Sequence, residues 1–426
     1  MASWDENRWE SSIESGLPRR DRRSGQFRTY VPDELVASPL VLPRDVDDLI
    51  SQAERSVRGL NGDAHDLAGV SRFLLRSEAI ASSRIEGIAP SVGQVALAEL
   101  GAQEAVPDVS AQARLVANNM TIVQDARTAL VDADRVAVQH LVDLHAALLP
   151  GEPQHYGIRT VQNWIGGSDH HPLDADFVPP VASRVPLLLD DLVAYLNGAG
   201  HSPIVQAGLV HAQFETIHPF TDGNGRVGRA LIHTVLTRRG LTTQAVLPVS
   251  LVLSTLRSDY VAGLTAYRHS HTTGSAASHQ ARAEWLRVFA RAVITASEQA
   301  GHLGAQLAEL RREWAERLAD TRAERGHARA VRGDSATAQI LRDLPGSPVL
   351  TSATVQRIHG VSHVAAGRAL DELVAARILH VRDRRGTRFY QAREVLDLVT
   401  WAERRLASTR FDTRASPPTR PVPARP

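Results

Sequence analysis

Apolar residues recur along most of this chain at helical spacing. Between Asp45 and about Glu86, the positions of Leu49, Ile50, Leu67, Val70, Phe73, Leu74 and Leu75 predict two amphipathic helices broken at Gly59–Gly62. Further helical patterns run at about 110–132, 136–149, 182–197, 203–217, 224–239 and 256–267, and a long Arg- and Glu-rich helix is expected from about Ala281 to His327. The expected body is all-α. Two stretches depart from the pattern. Residues 13–41 contain Pro18, Pro32 and Pro39 and an Arg-rich patch (Arg19, Arg20, Arg22, Arg23), which predicts extended chain rather than a core element. Residues 151–180 carry Val161, Trp164 and Ile165 before a Gly166–Gly167 turn and end in a double proline, the wording of a β-hairpin or extended flap. Its His155, His170 and His171 have neither Cys partners nor helical i, i+4 pairing, so a zinc site is not expected there. His269, His271 and His279 are expected to be solvated loop residues.

From about 334 to 405 the pattern changes. A helix at about 335–344 is followed by TSATVQRIHG, a turn at Gly360, a longer helix, and the hairpin candidate VRDRRGTRFYQA with Gly386 at its tip. Helix, helix, turn, longer helix and basic hairpin resemble a winged helix-turn-helix, an α+β unit beside the all-α body. His363 and Arg368 on the longer helix, with Arg382, Arg384, Arg385 and Arg388 on the wing, could contact phosphate. Asp371, Glu372 and Asp383 dilute that charge, so DNA and a protein partner both stay open. The Pro- and Arg-rich tail from Ser408 is expected to be disordered.

Composition narrows the classes. At 426 residues, with 43% hydrophobic and 22% charged residues, two or three globular domains are expected. No apolar run reaches the ~18 residues needed to cross a bilayer, and the polar first thirty residues lack the centre of a secretory signal, so a cytoplasmic protein is expected. Cysteine is absent, which removes thiol nucleophiles and Cys zinc sites. All 48 basic residues are arginine, which excludes Schiff-base and P-loop lysine chemistry. From Val331 onward sixteen Arg face nine acidic residues, so the net +1 hides a basic C-terminal segment and raises the question of an anionic partner.

The densest chemistry lies at 218–229, HPFTDGNGRVGR. His218 can take a proton near neutral pH. Asp222 is a hard oxygen ligand suited to Mg²⁺. Gly223 and Gly225 let backbone amides turn toward an anion at a helix start. Arg226 and Arg229, three apart, share a helix face and can both reach phosphate. A base, a metal ligand, an anion cradle and two guanidiniums are the parts for transfer chemistry on a nucleotide.

This string resembles the signature of the Fic (filamentation-induced-by-cAMP) family, HPFxDGNGRxxR, at all nine specified positions. The resemblance runs from about Pro18 to about Arg268 and resumes loosely in the winged helix. It implies a helical core that transfers AMP from ATP to a Tyr, Ser or Thr hydroxyl, with His218 as general base. It further implies that Asp222 holds Mg²⁺ and that Gly223, Asn224, Gly225, Val227 and Gly228 lie along the phosphate-binding loop and helix. Arg226 and Arg229 would grip the β- and γ-phosphates, and Phe220 would anchor the loop. LRSDYVAGL resembles the segment bordering adenine, which makes Tyr260 either a ring or hydroxyl contact or a core tyrosine. The flap at 157–180, with QNWIGG and FVPP, would hold target chains by strand addition.

Upstream, SSRIEG (82–87) matches the family's inhibitory pattern, so Ser82 and Glu86 would form an inhibitory helix end whose carboxylate pairs with Arg229. The expected division is therefore 1–108 arm and inhibitory-helix region, 109–275 catalytic core, 276–330 connecting helix, 331–407 winged helix and 408–426 tail. The leading expectation is an autoinhibited protein adenylyltransferase using ATP and Mg²⁺. Two other readings stay open: a Fic-fold enzyme with another nucleotide donor or AMP-removing activity, and a DNA-binding regulator whose Fic domain senses nucleotide. The target, the oligomeric state and a homo-oligomer also remain open.

Overall fold

The computed structural model describes residues 1–11, 18–62, 70–242, 246–326 and 331–408; the tail expectation lies outside them apart from Ser408. The chain divides into two compact units, each built from separated stretches.

The first unit comprises Met1–Val57, Thr121–Thr242 and Leu256–Ile294. It opens on an antiparallel pair, β1 (Ser3–Trp9) and β2 (Gly25–Val31), in register from Ser3 opposite Val31 to Trp9 opposite Gly25. This corrects the expectation that the N-terminal arm stays out of the core. Tyr30 is buried, its amide donates to Val178 O at 3.0 Å and its hydroxyl to His269 O at 2.6 Å. His269, expected to be solvated, is itself buried, and burial pulls its pKa down to about 4.

Helix α1 (Arg44–Gly62) follows and begins in this unit. Around the site lie α6 (Val138–Leu148), α7 (Val185–Asn197), α8 (Pro203–Ile217), α9 (Asn224–Arg238) and α11 (Arg257–Tyr267). Every residue from Ile204 to Ile217 is buried, so α8 is the central rod of the unit and shows no polar face. The early part of α12 (Ala276–Glu324) packs against it, with Trp285 Nε1 donating to Gly208 O at 2.8 Å. Within 151–180 the described pairing consists of isolated antiparallel bridges, Ile165 to Phe177 and Ser168 to His171, around a 3-10 turn at Pro172–Asp174.

The second unit comprises Arg58–Met120, Thr243–Thr255 and Thr295–Pro426. It holds α2 (Ser71–Ile85), α3 (Val92–Gly101), most of α4 (Ala111–Arg127), α10 (Val249–Thr255) and the later part of α12. The remaining helix, α5 (Ala129–Asp132), is a short continuation of α4 in the first unit. The C-terminal elements are α13 (Ala336–Asp343), β3 (Val349–Leu350), α14 (Ser352–His359), α15 (His363–Ala375), β4 (His380–Arg384), β5 (Thr387–Gln391) and α16 (Arg393–Ser408). The three strands form an antiparallel sheet in the order β3-β5-β4. Ser335, Thr351 and Ser362 cap α13, α14 and α15, each accepting from the amide three residues on. Ala96, Leu97 and Leu100 of α3 share one apolar cluster with Val349 and Phe389 of the sheet. Trp314 and Arg317 of α12 both donate to Glu394.

Candidate active site

His218 terminates α8 in the left-handed region, at φ 50° and ψ 61°, with its amide still donating to Phe214 O at 2.9 Å. This conformation turns the chain sharply out of the helix, and few residues outside glycine adopt it. Two side chains from the 151–180 segment hold the turn. Arg159 is buried; its Nε donates to His218 O at 2.8 Å, its Nη2 to Pro180 O at 2.5 Å, and its Nη1 to Val161 O at 3.0 Å. Its backbone amide donates to Pro219 O at 2.9 Å. Asn163 Nδ2 donates to Phe220 O at 2.8 Å and to His218 O at 3.3 Å. The His218 ring is half-buried, and its Nδ1 lies 3.4 Å from Glu215 O. A carbonyl there accepts from an Nδ1–H, which leaves Nε2 as the basic nitrogen.

The loop closes onto α9. Asn224 accepts from Phe220 N and donates to Phe220 O, both at 2.8 Å, a reciprocal clasp that fixes the loop to the helix start. Phe220 is fully buried and stacks on the His145 ring at 3.9 Å and 12°. Burial holds His145 neutral, and its Nε2–H donates to Asp222 O at 2.9 Å. Gly223, at φ 79°, is the N-cap of α9; a Cβ there would come within 2.9 Å of Leu148. The first intrahelical donor of α9 is Val227 N, to Gly223 O at 3.1 Å. The amides before it belong to the first turn, where backbone donors have no intrahelical acceptor and the helix dipole is positive.

Asp222 is exposed, with its side chain 55% accessible. Its Oδ1 accepts from Gly223 N at 2.7 Å and its Oδ2 lies 3.3 Å from Arg226 Nη2. Arg226 and Arg229 are both almost wholly buried on α9, and Val227 is core. Gly228 is the point of closest packing with α8: a Cβ would meet Glu215 Oε1 at 2.8 Å and Phe214 Cδ1 at 3.0 Å. Behind Arg229 the buried His211 ring holds Tyr260, Nε2 to hydroxyl, at 2.9 Å. Burial, reinforced by the Arg229 charge, pulls the His211 pKa down to about 3. Tyr260 is itself buried, with its hydroxyl committed to that bond.

The first unit thus brings together His218, Asp222, Gly223 to Arg229 and Tyr260. Ser82 and Glu86 belong to the second unit. Ser82 is buried in the last turn of α2, and Glu86 is its exposed C-cap, followed by Gly87 at φ 78°. Among the described residues no group of three or more His, Cys, Asp or Glu could hold a metal, and no helix is long and apolar enough to cross a membrane. Sequence reasoning missed Arg159, Asn163, His145 and His211. Their one visible signal was polarity inside otherwise apolar or flap-like wording, as at His211 in the run IVQAGLVHAQF.

Residues 135–236 match the model of the Fic/DOC family. The chain is 32% identical over 136 residues to the protein adenylyltransferase fic-1 of Caenorhabditis elegans, covering 31% of this chain and 24% of that protein. It is 42% identical over 72 residues to a probable protein adenylyltransferase of Aquifex aeolicus, covering 17% of this chain and 22% of that one. The chain therefore spans about a quarter of the length of these curated relatives. Its fold is similar to the crystal structure of a Fic family protein from Desulfovibrio desulfuricans G20, at a TM-score of 0.51 and 22% identity, over 83% of this chain and 98% of that one. The chain carries a Fic/DOC domain at residues 135–236, and that domain contains the whole of HPFTDGNGRVGR.

Proposed function

We propose that this protein is an adenylyltransferase that moves AMP from ATP to a Tyr, Ser or Thr hydroxyl of a target protein or of itself, restrained by Glu86. One observation carries the reading: a base, a first-turn amide cradle and two buried arginines are held in one twelve-residue loop and helix. ATP phosphates suit the amides of Gly223 to Gly225 and the guanidiniums of Arg226 and Arg229. His218 Nε2 takes the proton of the target hydroxyl as that oxygen attacks the α-phosphorus. The new bond is O–Pα; the bond from Pα to the bridging oxygen breaks, and pyrophosphate leaves.

Mg²⁺ fits the donor set. A single exposed carboxylate, Asp222, matches an ion that keeps several waters and takes its other ligands from substrate phosphates. When bound it neutralises phosphate charge. The 157–180 flap, with its short bridges and exposed Val161, suits a target held through its backbone.

The test is incubation of wild type, Glu86→Gly and His218→Ala with ATP labelled at the α-phosphorus, with Mg²⁺ and cell lysate. Label on protein is expected to be strongest in Glu86→Gly and absent in His218→Ala. No label in any lane, or label that appears only when the γ-phosphorus is labelled instead, points to another reaction or donor or to AMP removal.

A second reading rests on the C-terminal elements. Their order and the β3-β5-β4 sheet support a winged-helix reading, in which Arg382, Arg385 and Arg388 are exposed on the β4–β5 hairpin. In that reading the module binds duplex DNA. Arg385 is paired to Asp108 at 2.9 Å and Arg388 lies 3.7 Å from Asp383, which lowers the charge available to phosphate and favours a protein partner.

A further inference from the structure

Glu86 ends a helix that is gripped elsewhere along its length, and the grip comes from the C-terminal sheet and the elements attached to it. Arg76, in the second turn of α2, is 1% exposed. Its Nε donates to Glu99 Oε2 at 2.5 Å and its Nη2 to Glu99 Oε1 at 3.2 Å, a bidentate pair. The same guanidinium reaches the turn between α13 and β3, with Nη2 to Gly346 O at 2.8 Å and Nη1 to Pro345 O at 3.4 Å. Glu99 sits on α3, whose Ala96, Leu97 and Leu100 are buried with Val349 and Phe389. Just beyond α3, Glu104 accepts from Thr351 Oγ1 at 2.6 Å and Thr354 Oγ1 at 2.7 Å, so this stretch also closes the start of α14.

Further bonds hold α2, among them Arg72 Nη2 to Glu99 Oε1 at 3.3 Å. Glu78 accepts from Ser250 N at 2.8 Å and Ser250 Oγ at 2.5 Å, and Asn119 donates to Ala79 O at 3.0 Å and Ser83 Oγ at 3.2 Å. The Arg76 bonds reach the 345–346 turn that leads into β3 of the C-terminal sheet.

We infer that Arg76 is a positioning residue for Glu86: through it the 345–346 turn and Glu99 hold α2 in place, so the C-terminal module sets how firmly the inhibitory carboxylate is held. A helix is stiff over the roughly 15 Å that ten residues span, so a displacement at Arg76 moves the C-cap. The inference rests on the reading of Glu86 as the restraint.

The absence of native cysteine allows a reversible test. A Cβ at Gly346 would lie 3.6 Å from Arg72 Cβ, within disulfide range. Full-length Arg76→Ala is compared with wild type and Glu86→Gly for AMP transfer from α-labelled ATP, with circular dichroism to check folding. Transfer is expected to rise about fivefold or more, a direction that simple loss of structure does not produce. In the Arg76→Ala chain carrying Arg72→Cys and Gly346→Cys, oxidation is expected to return transfer toward the wild-type level and reduction to release it again.

The inference is overturned if folded Arg76→Ala keeps wild-type transfer while Glu86→Gly is active, or if oxidation and reduction give equal rates. Should Arg76→Ala not fold, Arg76→Lys is read in the same way, since it keeps the charge beside Glu99 but loses the fork. Inactivity of Glu86→Gly itself would remove the underlying reading, a separate result.

Discussion

Two positions near the helix pair α8–α9 show how much of the site depends on packing rather than on charge. Gly228 falls at an unspecified position of HPFxDGNGRxxR, yet a Cβ there would press on Glu215 at 2.8 Å and Phe214 at 3.0 Å. Gly228→Ala is expected to destabilise the fold by about 1–3 kcal/mol, visible as a lower urea midpoint. The motif made His218, Asp222 and the arginines legible; the need for glycine at 228 was not, because a one-dimensional pattern does not show which helix crosses it. His211 makes a second case. Its folded pKa of about 3 lies below the unfolded value near 6.5, so the unfolded state binds its proton first. Its contribution is fully present above pH 6.5 and is lost as pH falls, at about 1.4 kcal/mol per unit down to about 3. Thermal midpoints measured between pH 7 and 5 should fall less steeply in His211→Asn than in wild type; equal slopes would remove His211 from the account.

At the scale of elements, the long amphipathic helices were readable and the exceptions have physical reasons. Helices α8 and α9 appear where the apolar pattern put them, ending at Ile217 and starting at Asn224 around a loop of turn-forming residues. Helix α3, VGQVALAELG, was missed because it buries residues on several faces and so loses the one-sided period. The β1–β2 pair was missed because SWDENRW is polar on both faces; it is held by its ladder and by Tyr30 instead. Arg159 ties the 151–180 segment to the His218 turn by donating to carbonyls of Val161, Pro180 and His218. Lysine keeps the charge, but its donors sit on one nitrogen and cannot span the carbonyls that Nε, Nη1 and Nη2 reach separately. Arg159→Lys is expected to cost about 2–4 kcal/mol and to lower AMP transfer by more than its fall in folded fraction. Transfer that tracks folding alone would limit Arg159 to stability.

Across the whole molecule, the basic C-terminal segment was visible in the sequence, but its ion pairs were not: Arg385 with Asp108 joins residues far apart in the chain. If the C-terminal helices and three-stranded sheet bind duplex DNA, their affinity should fall with salt at a slope of about −0.9 per phosphate contact, and Arg382→Ala with Arg384→Ala should flatten that slope by about two contacts. No band shift even at low salt would assign the module to a protein partner.

The chain passes between its two units five times, at 57/58, 120/121, 242/243, 255/256 and 294/295. Glu86 lies in a stretch bracketed on both sides by stretches of the unit that carries His218. A single cut that removed Glu86 with the N-terminal end would therefore also take Met1–Val57 from the unit that carries His218. If Glu86 restrains the site, that truncation would lift the restraint and strip the same unit of its β1–β2 pair in one step.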